Sequence, residues 1–185
     1  MPKLDHCDDP LRRTFTADGP NRLWLTDITD ATGESKLYLG AVKDACFGCI
    51  VGYSINARMK SRLAVGALES AVARRSPAAG CIVHSDRGSP FRSRKVAAVL
   101  SRNGLASSMG RVGAAGDNAA MESFFALPQK NVLDRRTWTA RQESRNGMSP
   151  RIERIYHRRR RQRRPGRLTP VEYETIMTPS AVLAA

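Results

Sequence analysis

The chain has 185 residues, 41% of them hydrophobic, and carries 31 Lys and Arg against 17 Asp and Glu, a formal net charge of +14 at pH 7. That length fits one domain with an appended tail, and the apolar share supports a packed core rather than wholesale disorder. The excess of positive charge points to a polyanionic partner, because basic side chains on phosphates release condensed counterions. A membrane surface is the weaker choice, since no apolar run is long enough to span a bilayer. Met1 to Pro10 is polar and acidic and does not form a signal peptide, so a cytoplasmic protein is expected.

Residues 1–20 contain no periodic pattern and form an entry arm. Residues 22–29 (RLWLTDIT) are apolar and β-prone, as in a buried strand. Gly33 marks a turn, 36–42 resume strand character, and Asp44 starts a break before a third strand at 46–55 (CFGCIVGYSI). Three strands joined by short turns predict an antiparallel meander. Cys46 and Cys49 make a Cys-x-x-Cys spacing, but residues three apart on a strand point to opposite faces. No second such pair accompanies them, so Cys7, Cys46, Cys49 and Cys81 are expected to be reduced, structural thiols.

The period then changes. Leu63, Val65, Leu68, Ala71 and Val72 recur at near-helical spacing within 61–75, with arginine at the end and Pro77 beyond. Residues 81–84 form a short strand that delivers Ser85, Asp86, Arg87 and Gly88. A helix over 91–103 is stopped by Gly104, a last strand occupies 105–109, and another helix begins near Asp117. Strands first, then strand and helix in alternation, describe a mixed sheet with helices packed on it. From 151 the character changes: the run 157–167 (HRRRRQRRPGR) is its core, 158–167 reads as an extended basic arm or one helical at its beginning, and 169–173 as a short helix start.

Asp27, Asp44, Asp86 and Glu122 are the acidic residues that matter. Asp27 sits in the most apolar strand, where an unpaired carboxylate is costly and needs a cation or hydrogen bonds. Backbone hydrogen bonding at a strand end would serve as well. Asp86 follows a strand, at the kind of carboxyl end where α/β folds place their sites, although Asp before a turn glycine is also ordinary. A lone helical glutamate such as Glu122 is usually just solvated. None of these signals is specific alone.

Their flanks are specific. Leu25-Thr26-Asp27-Ile28-Thr29, His84-Ser85-Asp86-Arg87-Gly88-Ser89 and Asp117-Asn118-Ala119-Ala120-Met121-Glu122-Ser123-Phe124-Phe125 resemble the integrase-like (DDE) transposases of bacterial insertion sequences, relatives of the retroviral integrases. That family has 35 residues between its second aspartate and its glutamate, as Asp86 and Glu122 do here. Lys36-Leu37-Tyr38-Leu39, Ile50-Val51-Gly52-Tyr53 and Leu168-Thr169-Pro170-Val171-Glu172-Tyr173 extend the likeness. The resemblance implies an α/β, ribonuclease H-like fold, a five-stranded mixed sheet flanked by helices. It implies an arm at 1–20, a catalytic core at 21–145 and a basic tail at 146–185. Asp27, Asp86 and Glu122 would be the catalytic, metal-binding residues. They would hold two Mg²⁺, with Mn²⁺ able to substitute, ~3.5–4 Å apart for an in-line displacement. The activity implied is DNA nicking at element ends and strand transfer into target DNA. Partners implied are that DNA, further copies of the chain in a homo-multimer, and an upstream helix-turn-helix reading-frame product that reads the element ends.

The remaining positions take lesser expectations. Asp44 is structural or supports the site from behind, Asp117 caps its helix or Asn118 orients Glu122, and His84 and Ser85 are flanking residues. Lys130 is the nearest cation to a position where the family aims Lys or Arg at DNA, rotated roughly 80° from the Glu122 face. Arg158, Arg159, Arg160, Arg161, Arg163 and Arg164 would hold phosphates without reading sequence, and six such contacts give a salt slope of about −5. Pro128 predicts a kink or early stop near Leu127. Gly147 and Pro150 predict a broken helix where relatives continue one, and Tyr156-His157 replaces a more usual Tyr-Asn. These departures support a competing reading, a catalytically degraded DNA-binding remnant. A nuclease for RNA–DNA hybrids is a third reading, on fold analogy alone.

Overall fold

A computed structural model describes residues 15–30, 37–77, 79–110, 119–131, 141–159, 161 and 167–177. Strand β1 (Leu23–Asp30), β2 (Tyr38–Asp44) and β3 (Ile50–Asn56) form the expected antiparallel meander. Helix α1 (Ser61–Arg75) crosses to β4 (Ile82–Ser85), and α2 (Arg94–Arg102) to β5 (Ala106–Met109). The sheet is five-stranded and mixed, in the order β3-β2-β1-β4-β5, with β1 parallel to β4 and β4 parallel to β5.

Each face of the sheet carries its own core. Alternation along β1 sends Trp24 to the face covered by α1 and α2, and Leu23 and Leu25 to the face covered by α3 (Ala119–Asn131). On the first face α1 buries Leu63, Ala64, Ala67, Leu68 and Ala71. It lies so close to β3 that a Cβ on Gly52 would sit 2.4 Å from the Ala67 carbonyl oxygen and the Ala71 nitrogen. On the second face Met121, Phe124 and Phe125 of α3 join Leu39, Ala41 and Ile50.

Several boundaries differ from expectation. The third strand starts at Ile50, not 46. Asp44 accepts hydrogen bonds from the Cys46 and Phe47 N–H groups at 2.8 and 3.4 Å, and Gly48 adopts φ 68°, so the apolar stretch before Ile50 is a turn. Helix α2 is shorter than 91–103, because Ser93 caps it by accepting from the Val96 N–H at 3.3 Å. The early stop near Leu127 does not occur. Helix α3 continues through Pro128 to Asn131, with Met121, Phe124 and Phe125 packed into the core behind it.

Gly147 and Pro150 do not break the chain either. Helix α4 (Arg141–Pro150) passes into a π-helical segment, Arg151–Tyr156, closed by the His157 N–H on the Ile152 carbonyl at 3.2 Å. Proline lacks the donor for an α-turn, and a widened turn is a known resolution of that conflict. Met148, Ile152 and Tyr156 recur every four residues and are buried in the α3-side core, with the Tyr156 ring edge-on to Phe124 at 5.0 Å. Helix α5 (Pro170–Met177) starts at the expected place with a reciprocal cap. The Thr169 N–H donates to Glu172 Oε2 at 2.8 Å and the Glu172 N–H to Thr169 Oγ1 at 3.3 Å. Arg75 at the end of α1 grips the Glu174 carboxylate with both Nη groups, and Tyr173 meets Phe47 edge-on at 5.4 Å.

Candidate active site

Three elements bring acidic side chains to one end of the α3 face. Thr26 pairs with Ser85 across the parallel strands, so Asp27, inside β1, and Asp86, just past the end of β4, come next side by side. Asp27 continues the alternation of Leu23 and Leu25, and Asp86 that of Ile82 and His84, which places both on the face that α3 covers. Glu122 lies in the first turn of α3 and is exposed, between buried Met121 and Phe124. Lys43 on β2 ties that turn to the sheet by donating to the Ala120 carbonyl at 3.2 Å.

Backbone donors fix the two aspartates. Asp27 Oδ1 accepts from the Ile28 N–H at 2.7 Å, and Asp86 Oδ1 from the Gly88 N–H at 3.0 Å. Burial raises the Asp27 carboxyl to about 6, and the negative charges of Asp86 and Glu122 push the same way against the Ile28 N–H. The charges of Asp86 and Glu122 therefore reach Asp27. Among the described residues no group of three His, Cys, Asp or Glu side chains is placed to hold a metal ion. The donors are all carboxylate oxygens, a set that suits a hard divalent cation.

A family model for the integrase core domain matches residues 17–115. The chain belongs to that family. The matched stretch includes Asp27 and Asp86, while Glu122 lies past its end. The chain is 37% identical over 164 residues to an insertion element IS600 uncharacterized 31 kDa protein of Shigella sonnei, covering 88% of this chain and 60% of that one. It is 37% identical over 165 residues to the transposase InsF for insertion sequence IS3A of Escherichia coli (strain K12), covering 89% of this chain and 57% of that one. The chain thus spans about three-fifths of the length of these relatives. Among solved structures it resembles a chain of the simian T-cell lymphotropic virus intasome in complex with PP2A regulatory subunit B56 gamma. The TM-score is 0.68 at 14% identity, over 92% of this chain and 59% of that one. The HTLV-2 integrase catalytic core domain in complex with magnesium (trimeric form) matches with TM-score 0.60 at 15% identity, over 83% of this chain and 96% of that one. The fold is accordingly the ribonuclease H-like fold of integrase catalytic cores.

In this integrase core Asp44 is structural, as expected. It is buried, and it accepts from the Asn21 N–H at 2.7 Å as well as from the turn it caps. Burial still pushes its carboxyl above the usual range. Cys46 and Cys49 belong to the turn region before β3, not to the strand expected for them. Cys49 Sγ donates to Glu174 Oε2 at 3.4 Å, and burial drives the thiols of Cys46, Cys49 and Cys81 upward. His84 is buried, with Nδ1 2.9 Å from Ser108 Oγ and its ring 5.0 Å from that of Phe15.

Among the described residues, the basic tail positions are not gathered at the carboxylates. Arg158 and Arg159 are exposed just after Tyr156 and His157. Those two residues are bound to the β2–β3 turn, Tyr156 Oη donating to the Gly48 carbonyl at 2.8 Å and the Ile50 N–H to His157 Nε2 at 3.1 Å. That turn adjoins Leu23, whose carbonyl accepts from the Ala45 N–H at 3.0 Å, at the opposite end of β1 from Asp27. Arg161 donates to the Arg167 carbonyl at 3.2 Å. Arg160, Arg163, Arg164, Asp117 and Asn118 lie outside the described residues, as does the side chain of Lys130. Sequence reasoning left one well-placed cation unassigned: Arg87, whose Nε donates to the Gly110 carbonyl at 2.9 Å.

Proposed function

We propose that this chain is the catalytic core of an insertion-sequence transposase that nicks DNA at element ends and joins the freed 3′ end to target DNA. The observation that carries this is the convergence of Asp27, Asp86 and Glu122, the charges of the last two reaching a half-buried Asp27 beside β4 and α3. The 37% identity to a transposase supports it, as does the magnesium complex of a structurally similar integrase core.

In this reading Asp27, Asp86 and Glu122 hold Mg²⁺, or Mn²⁺ in its place, with two ions per site. The ions supply Lewis-acid stabilisation of the phosphate and leaving oxygens when bound. The protein's own part is to hold the ligands still. The Ile28 N–H sets Asp27, the Gly88 N–H sets Asp86, and the buried neighbours of Glu122 set the pitch of α3. Lys130 and Arg158, Arg159, Arg160, Arg161, Arg163 and Arg164 are the proposed phosphate contacts, which position DNA without reading it. Sequence reading falls to an upstream helix-turn-helix product, and several copies act together on paired ends. The intasome and the trimeric core among the structural neighbours support the multimer. The main grounds for a degraded remnant, Pro128 and the Gly147–Pro150 stretch, are weakened by a structure in which both lie within helices.

The test is divalent-metal-dependent nicking and joining of labelled element-end DNA, with the upstream product supplied, comparing the chain with its Glu122→Gln variant. Activity in the parent that vanishes in the variant is expected. Activity in neither overturns the enzyme reading.

A further inference from the structure

Arg87 follows Asp86 directly and is exposed, yet it is held in place. Its Nε donates to the Gly110 carbonyl at 2.9 Å, and Gly110 is itself pinned by its N–H on the Ser85 carbonyl at 3.0 Å. The guanidinium plane is thus fixed across the ends of the paired strands β4 and β5. Among the described residues its two Nη groups have no partner. Arg74, Arg75 and Arg102, by contrast, are each paired with a glutamate. Asp86 takes its hydrogen bond from Gly88, not from Arg87. A positive charge therefore stands next to Asp86 in the chain, held by Gly110 and not paired with the Asp86 carboxylate.

We propose that Arg87 is a phosphate clamp, its free Nη groups gripping a DNA phosphate next to the bond that the carboxylates act on. This rests on the proposed transposase function. An acidic centre repels the polyanion it must handle, and a guanidinium matches phosphate oxygens in a planar fork. With Nε already committed to Gly110, the fork is orientated before DNA arrives, so less side-chain freedom is lost on binding. Closing the ends of β4 and β5 does not require the charge, because the Gly110 N–H bond does that already.

The experiment measures binding of a fluorescein-labelled random-sequence duplex by anisotropy over a salt series, for the parent, Arg87→Ala, Arg87→Gln and Arg87→Lys. Arg87→Ala and Arg87→Gln are expected to bind about tenfold more weakly and to lower the salt slope by about 0.9, one phosphate's worth. Arg87→Lys should keep the slope and lose part of the affinity. In the nicking assay the KM for DNA should rise more than kcat falls. An unchanged slope in Arg87→Ala, or Arg87→Gln binding as well as Arg87→Lys, overturns the clamp. So does a loss of the folding transition in all three variants, since that makes the role structural. A parent that nicks while Arg87→Ala binds normally refutes the clamp alone; a parent with an Arg87-dependent slope that never nicks refutes the enzyme reading alone.

Discussion

Replacing Asp27 with asparagine should stabilise the metal-free chain while ending its proposed chemistry. Burial, followed by the charges of Asp86 and Glu122, raises this carboxyl from the ordinary 3.8 to about 6. The folded state holds the proton more tightly than the unfolded one, so Asp27's contribution is fully present below 3.8 and is lost as pH rises through about 6. One pKa unit is worth about 1.4 kcal/mol, so the full penalty at neutral pH is ~3 kcal/mol. Asp27 is partly exposed, and water screens such a charge, which brings the expected figure to ~1–2 kcal/mol. Asparagine keeps an oxygen for the Ile28 N–H and never ionises.

Urea unfolding without divalent metal should therefore find Asp27→Asn ~1–2 kcal/mol more stable than the parent near neutral pH, with the gap closing near pH 4. Added Mg²⁺ should reverse the order. A ligand at 100 times its Kd stabilises by ~2.7 kcal/mol, and the variant lacks one of the proposed holding groups. His157 titrates in both proteins, so the difference between them isolates Asp27. A variant no more stable than the parent at neutral pH without metal, or a gap that persists at pH 4, would refute the account of a carboxylate strained by burial and like charge.

Three further outcomes follow from the same geometry. A Cβ on Gly88 would lie 2.8 and 3.1 Å from the two Asp86 carboxylate oxygens, so Gly88→Ala should cut nicking about 10²-fold by displacing a proposed ligand. Its urea midpoint should barely move, because Asp86 is exposed. A Cβ on Gly52 would meet backbone atoms of Ala67 and Ala71 at 2.4 Å, so Gly52→Ala should cost about 3 kcal/mol in urea unfolding as α1 is forced off β3. His157 accepts the Ile50 N–H while neutral, and burial lowers its pKa below the ordinary 6.5. Its contribution is present above 6.5 and is lost as pH falls through the lowered value, so His157→Asn, which can accept without titrating, should flatten the loss of stability on acidification.

What the sequence reveals of this molecule follows the range of the interactions involved. The meander and α1 are legible because alternation, short turns and near-helical spacing are local. The turn before β3 is not, because Phe47 and Cys49 are apolar and buried like strand residues. What makes that stretch a turn is a polar device outside the run, Asp44 accepting its N–H groups, together with the left-handed Gly48. The stretch around Pro150 misleads in the opposite direction. Gly, Pro and a crowd of arginines hide the four-residue spacing of Met148, Ile152 and Tyr156, whose burial against Phe124 holds the segment helical through a π-turn. Local propensity loses to tertiary packing there, as it does at Pro128 in α3.

The acidic centre shows the same division more sharply. Once β1 is known to lie parallel to β4 with Thr26 beside Ser85, two-residue alternation puts Asp27 on the α3 face and brings Asp86, the first residue past β4, alongside it. The pairing itself is non-local, because α1 and two strands intervene in the chain. Neither periodicity nor turn chemistry reports it, and only the likeness of the flanking motifs to a known family carried it. Arg87 escaped notice for the same reason. Beside Asp86 in the sequence it is one more basic residue in a basic chain. What distinguishes it is a carbonyl 23 positions away that holds its guanidinium and leaves its charge free. In this fold the residues proposed to bear the chemistry are local in motif and non-local in support, so a substitution such as Gly88→Ala tests the support while leaving every acidic residue in place.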